Sequence, residues 1–336
     1  MSGRRLSTAT CAALMAASAA ITTLAQNPAP PPSPAPAQTA PASPPVVRAP
    51  QRRSADQIYR AGVEMVSLNV TVLDQQSHYL TDLDAADFIV YEDGVKQEVS
   101  YFNRTTLPIA LSLLIDTSAS MESRMGITQE AAIGFAKKLR PQDLAQVVDF
   151  DTRVEVLQDF TSDAALIESA IRSTQAGGST SMHNALYISL KELAKIKATS
   201  DDDVRRRAVV LLSDGEDTSS LVSFEEVLDL AKRSATTIYT IGLQSREVGF
   251  SKGFREAEFV LRQLAQETGG RAFFPQRAED LAGVYGVIAD ELASQYTIGY
   301  APTNSKRDGA WRRLNVQVNR QGTTARTKRG YFAPAL

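Results

Sequence analysis

From residue 109 to about 291 the chain alternates short apolar runs with apolar stripes at helical spacing, and this constrains the fold more than any other feature of the sequence. The runs at 110–116, 145–150, 154–160, 208–213, 237–243 and 271–274 have the length of strands. Between them Ala132, Phe135, Ala136 and Leu139 recur at i, i+3, i+4 and i+7, and Pro141 closes the pattern. Leu186, Leu190, Leu193 and Ala194 make a second stripe. Phe224, Val227, Leu228 and Ala231 make a third, opened by Ser223 with Glu226 three residues on, the pattern of a capping box. Val260, Leu261 and Leu264 precede Gly269-Gly270, a helix stop, and Leu281, Val284, Tyr285, Ile288 and Leu292 form the last stripe. Strands alternating with helices predict an α/β fold, a doubly wound, mostly parallel sheet with helices on both faces. The unbroken run Val209-Val210-Leu211-Leu212 fits a central strand buried on both sides.

The flanks read differently. Val66, Leu68, Val70 and Val72 alternate with Ser67, Asn69 and Thr71, a half-buried strand. Residues 88–92 run into Asp93-Gly94, a hairpin turn, and 97–102 form the return strand. After Ser294, strand signals recur at 296–300, 314–318 and 324–327, before Gly330-Tyr331-Phe332. Neither flank has enough strand to stand alone. The expected solution is one small β-sandwich shared by residues 59–105 and 294–336, with the α/β domain at 106–293 inserted between them.

At the N-terminus Arg4 and Arg5 precede a weakly apolar stretch and the small-x-small sequence Thr23-Leu24-Ala25, which predicts an export signal over residues 1–25. Residues 26–58 follow as a spacer; ten of the fifteen prolines lie between Pro28 and Pro50, a composition that favours extended chain over a core. The expected location is therefore periplasmic, secreted or at the cell surface, with no membrane span once the signal is cleaved. Cys11 is the single cysteine and lies inside that signal, so no disulfide is expected. A net charge of −2 gives no global attraction to nucleic acid. The opposed runs Asp201-Asp202-Asp203 and Arg205-Arg206-Arg207 read as a solvated, self-cancelling loop.

Three segments carry the chemistry. Leu113-Leu114-Ile115 leads directly into Asp116-Thr117-Ser118-Ala119-Ser120; Gly177-Gly178-Ser179-Thr180 precedes a helix; Leu211-Leu212-Ser213 ends in Asp214. In a parallel α/β sheet the ends of such strands form the ligand edge. Two carboxylates and three hydroxyls placed there are hard oxygen donors of the kind that suits Mg²⁺, with Mn²⁺ or Ca²⁺ as further candidates.

The order Asp-x-Ser-x-Ser, a Thr after a Gly-rich turn, and an Asp ending an apolar strand resembles the von Willebrand factor type A (VWFA) domain with its metal-ion-dependent adhesion site. The pattern is matched at Asp116, Ser118, Ser120, Thr180 and Asp214. The stretch 83–94 before it and Arg329-Gly330-Tyr331 after it are similar to a bacterial group of exported VWFA-related proteins. The resemblance implies a metal held by the serines and the threonine, with the aspartates acting directly or through water. It also implies an open coordination position, filled by an Asp or Glu of a protein ligand, and binding in place of turnover. A structural envelope scaffold with no metal-dependent ligand is the alternative. An aspartic peptidase shares the string Asp116-Thr117-Ser118, but that fold is all-β and the helical stripes oppose it. His183, beside Thr180, reads as a loop or surface residue, and Asp82, Asp84 and Asp87 as turn and cap residues. Trp311, Tyr331, Tyr296 and Tyr300 read as packing of the sandwich.

Overall fold

The computed structural model describes residues 65–104, 107–196, 204–214, 216–243 and 252–335. The expected signal at 1–25, the spacer at 26–58 and the run Asp201–Asp203 lie outside them. In chain order the strands are β1 (Val66–Leu73), β2 (Phe88–Glu92), β3 (Val95–Gln97), β4 (Val99–Asn103), β5 (Ile109–Asp116), β6 (Leu144–Phe150), β7 (Val154–Thr161), β8 (Arg206–Ser213), β9 (Thr237–Gly242), β10 (Ala272–Phe273), β11 (Tyr296–Tyr300), β12 (Trp311–Val318), β13 (Thr324–Arg326) and β14 (Gly330–Phe332). The helices are α1 (Met125–Ala136), α2 (Ala164–Ser173), α3 (Met182–Lys195), α4 (Phe224–Ser234), α5 (Lys252–Thr268) and α6 (Leu281–Ser294).

The central sheet runs β10-β9-β8-β5-β6-β7, parallel except for β7 at one edge. Successive residues of β5 face opposite cores. Leu111, Leu113 and Ile115 pack with α1, α2 and α6; Ala110 and Leu114 pack with α3, α4 and α5. Every residue of β5 is buried, as a strand covered on both faces requires. Phe135 of α1 stacks on Tyr285 of α6 at 5.1 Å. Ser223 and Glu226 form the expected capping box at the start of α4. Gly270 packs where a Cβ would meet the Ile238 carbonyl oxygen at 2.0 Å, so only glycine allows α5 to end against β9.

The flanks pair with each other. One sheet runs β13-β1-β11-β4 and the other β14-β12-β2-β3, so strands from both ends of the chain meet in each, alternating in the first and joining at β12-β2 in the second. Leu68 lies opposite Ile298 and Val90 opposite Val316. Phe88, Phe102 and Tyr296 meet between the two sheets at 5.1–5.8 Å. The α/β module is inserted into this sandwich. Chain enters β5 from β4 and returns through α6 to β11, so both crossings fall at the N-terminal edge of the parallel sheet. That leaves the C-terminal edge free.

Four local readings change. The return strand at 97–102 is two strands: β3 stays with β2, whereas β4 crosses to β11, because Asp93 and Gly94, at φ +48° and +84°, close a hairpin only three residues long on that side. The first helical stripe ends at Ala136, leaving Leu139 in a turn packed on the core. An additional helix, α2, is capped by Asp163, whose carboxylate accepts from the Ala165 and Leu166 amides. Arg206 is no solvated residue: it is the first residue of β8, 6% exposed, and donates to the carbonyls of Leu107 at 3.1 Å and Leu292 at 2.8 Å. Among the described residues no helix is long and apolar enough to cross a membrane.

Candidate functional site at the C-terminal edge of the sheet

Asp116 is the last residue of β5 and is fully buried. Its Oδ1 accepts from the Ser118 amide at 2.9 Å, folding the loop back on the strand end, and its Oδ2 accepts from Ser213 Oγ at 2.5 Å. Ser213 ends the neighbouring strand β8. The loop after β5 then turns Ser118 Oγ to within 3.1 Å of Ser120 Oγ. Ser120 Oγ in turn donates to Asp214 Oδ2 at 2.5 Å, joining two loops that are far apart in sequence.

Thr180 reaches the same edge by another route. The Gly177 amide donates to the Thr117 carbonyl at 2.7 Å, and the Ala119 amide donates to the Gly178 carbonyl at 3.1 Å. The glycine turn is thus laced to the Asp116–Ser120 loop. Gly178 has φ +71°, and a Cβ there would meet Thr152 Oγ1 at 2.6 Å. Thr218 holds Thr180 from the far side: its Oγ1 accepts from the Thr180 amide at 3.0 Å, and its amide donates to the Thr180 carbonyl at 2.9 Å. These contacts fix the backbone of Thr180. Among the described residues its hydroxyl makes no hydrogen bond, to the other four residues or elsewhere.

Ser118, Ser120 and Asp214 are therefore in direct contact, Asp116 backs them through Ser118 and Ser213, and Thr180 is fixed beside them by its backbone. Burial pushes the Asp116 carboxyl up to about 6; the Asp214 carboxylate adds to this, while hydrogen bonds from Ser118 and Ser213 oppose it. Among the described residues no cluster of three or more His, Cys, Asp or Glu is placed to hold a metal ion. A cation at this edge must therefore rest on hydroxyls as well as carboxylates. The donor set fits that demand: oxygen atoms only, two of them carboxylates, with one carboxylate whose ionised form lacks a cationic partner.

Several residues that matter to the edge were not singled out in the sequence. Ser213 interrupts an apolar strand, and a hydroxyl at a buried strand end demands a partner, which was the available signal. Asp217 accepts from the His183 amide at 2.7 Å and from Ser220 Oγ at 2.7 Å, capping the first turn of α3. No short motif marks Asp217 or Thr218, since their role depends on the meeting of two loops. His183 belongs to α3 and not to a loop; its side chain is 15% exposed, with Nδ1 3.5 Å from Asp217 Oδ2. Asp151 accepts from the Arg153 amide at 2.7 Å in the turn to β7.

A doubly wound sheet with a hydroxyl-and-carboxylate ligand edge defines the class of this module. Residues 111–216 match the von Willebrand factor type A domain, and this stretch lies within the α/β module inserted in the sandwich. A UPF0353 protein of Mycolicibacterium paratuberculosis is 24% identical over 226 residues, covering 61% of this chain and 65% of that protein. The chain thus spans about two thirds of the length of that curated relative. Among solved structures, the chain is similar to a von Willebrand factor type A protein from Catenulispora acidiphila, with a TM-score of 0.48 and 13% identity over 80% of this chain and 74% of that one. It is also similar to the vWF domain of the type V pili tip protein Mfa5 from Porphyromonas gingivalis, with a TM-score of 0.46 and 17% identity over 55% of this chain and 95% of that domain.

Proposed function

We propose that this protein binds a protein ligand through a divalent cation held at Asp116, Ser118, Ser120, Thr180 and Asp214, with Mg²⁺ the first candidate and Mn²⁺ or Ca²⁺ the others. The observation that carries the reading is the run of oxygen contacts from Ser118 Oγ through Ser120 Oγ to Asp214 Oδ2, set in front of the buried Asp116. Uncharged hydroxyls leave a bound dication incompletely neutralised, so when present it supplies a position for an Asp or Glu of the partner. The chain's own residues do the positioning. Asp116 holds the Ser118 backbone in place, Asp214 orients Ser120, and Thr218 fixes the turn that presents Thr180. The role is adhesion-type binding, not turnover, and the export signal expected from residues 1–25 supports action outside the cytoplasm.

Calorimetric titration of Mg²⁺ and Mn²⁺ into the wild type and Asp116→Ala tests the metal. One saturable site in the wild type that is lost in the variant is expected, with the circular dichroism of both unchanged; equal heats in the two proteins would sink the assignment. Crosslinking to envelope proteins with and without EDTA tests the ligand. Identical partners in both samples would favour the metal-independent scaffold. Peptidase activity at acid pH that disappears in Asp116→Ala would overturn the non-enzymatic reading.

A further inference from the structure

A second charged concavity lies where the C-terminal end of α4 meets the sandwich. It measures about 680 Å³. Lys232, Arg233, Lys306, Arg307 and Lys328 line it, and among the described residues no Asp or Glu side chain does. The cations come from three separate stretches: the end of α4, the loop after β11, and the segment between β13 and β14. Convergence of one sign of charge in a recess, on a chain of net charge −2, concentrates positive potential there.

The five cations are not equivalent. Lys232 Nζ lies 2.9 Å from Glu267 Oε2 and 4.8 Å from the centre of the Trp311 ring. Arg233 Nε lies 2.8 Å from Asp229 Oδ2, and its guanidinium sits 3.9 Å over the Phe332 ring. Both are oriented and neutralised from behind the wall. Among the described residues neither Lys306 nor Lys328 has a carboxylate at ion-pair distance; the Lys328 ammonium sits 5.9 Å from the Tyr331 ring centre. Burial pushes the Lys328 ammonium down to about 8. A bound anion would reverse that cost. Two uncompensated ammonium groups match the charge of a phosphate group, about −1.5 to −2 at neutral pH. Ser305 and Asn304 offer neutral polar groups on the same wall, and Tyr331 and Phe332 an aromatic face for the rest of a ligand.

We propose that this groove is a binding site for a phosphate-bearing ligand, held by Lys306 and Lys328, and independent of the cation edge at Asp116. Lysine suits this role as a mobile point charge. The phosphate belongs either to a free phosphorylated small molecule or to a lipid headgroup.

The test uses the full chain at low ionic strength in metal-free buffer, with inorganic pyrophosphate as the probe by calorimetry. Vesicles of phosphatidylcholine with and without phosphatidylglycerol are the second probe, by co-sedimentation. Saturable pyrophosphate binding is expected, weakened about tenfold or more in the double variant Lys306→Gln and Lys328→Gln. Mn²⁺ binding at the other edge should be unchanged in that variant. Lys328 should react with an amine-directed reagent near pH 8, and pyrophosphate should slow the labelling. Pyrophosphate binding without vesicle binding identifies a free ligand; vesicle binding that pyrophosphate competes away identifies a headgroup. The proposal is overturned if pyrophosphate gives no saturable heat, if the double variant binds it equally, or if vesicles bind in a way pyrophosphate does not displace.

Discussion

At the N-terminal edge of the parallel sheet the buried polar groups bond to one another; at the C-terminal edge they line up toward an opening. Near the sandwich, Arg206 donates to two carbonyls and to Gln295 Oε1 at 2.6 Å. Gln295 Nε2 donates to Tyr239 Oη at 3.1 Å and to Thr71 Oγ1 at 3.3 Å. Tyr239 donates to the fully buried Glu291 at 2.8 Å, and Arg326 of β13 pairs with the same carboxylate. That network runs from β8 and β9 through α6 to β1 and β13, so it fastens the α/β module to the sandwich. At the far edge Asp116 is equally buried, but its network ends at Ser120, which is exposed, and Asp214, which is half-buried. A network enclosed between two modules specifies how they meet, whereas one that ends at the surface keeps lone pairs for a ligand.

The largest expected effect separates these roles. Arg206→Ala takes this donor from the Leu292 carbonyl and from Gln295 Oε1, while the Leu107 carbonyl keeps Arg140, and should lower stability by about 3 kcal/mol. At neutral pH Asp116→Asn keeps the shape and one of the two accepting oxygens and removes a buried charge, so it should not lower stability by more than about 1 kcal/mol while removing metal binding. Urea unfolding of both variants, with Mn²⁺ calorimetry alongside, makes the comparison. Equal stability losses would break it.

The next effect is in pH. Free aspartate titrates at about 3.9 and Asp116 in the metal-free fold at about 6, a difference of about two units and so about 3 kcal/mol. Between those values the folded chain holds a proton that the unfolded chain has released. The contribution is therefore fully present below about 4 and is lost as pH rises through about 6. Asp149 is also pushed up to about 6, chiefly by burial, so the whole-protein curve alone cannot isolate Asp116. The difference between wild type and Asp116→Asn can. Stability of the wild type relative to that variant should fall over this range without metal, and the fall should vanish under saturating Mg²⁺. A pH-independent difference in EDTA would contradict it.

The sequence revealed the far edge more readily than the near one, for a physical reason. Asp116, Ser118, Ser120 and Asp214 follow strand ends, so apolar periodicity alone placed them on one side of the sheet. The six strands of the central sheet and the pairing of the two flanks were legible in the same way. Arg206 was misread because a basic residue beside two others looks solvated, and only the third dimension brings Leu107, Leu292 and Gln295 to its guanidinium. Thr71 looked like the outward member of an alternating strand, yet it is buried because the inserted domain covers that part of β1. Helix α2 could have been found from Asp163 with Ile167, Ala170 and Ile171; the groove at Lys306 and Lys328 could not, since its walls come from three distant stretches.

Thr218 gives the smallest effect and the most direct test of whether the open edge is prearranged. Its hydroxyl accepts from the Thr180 amide, and its backbone closes the same turn from the other side. Thr218→Val keeps the size of the side chain and the backbone bond but removes the acceptor. The Thr180 amide then loses one partner, at a cost of about 1 kcal/mol. If Thr180 is held ready by this contact, part of that loss should appear as weaker Mn²⁺ binding, by roughly threefold to tenfold. Thr218→Ser restores the hydroxyl and should restore affinity. A purely structural contact predicts something else: a lower unfolding midpoint with Mn²⁺ affinity unchanged. Thr180 would then be ordered by α3 and by the lacing of Gly177 and Gly178 alone, and the loop after β8 would contribute Asp214 and nothing more to the open edge.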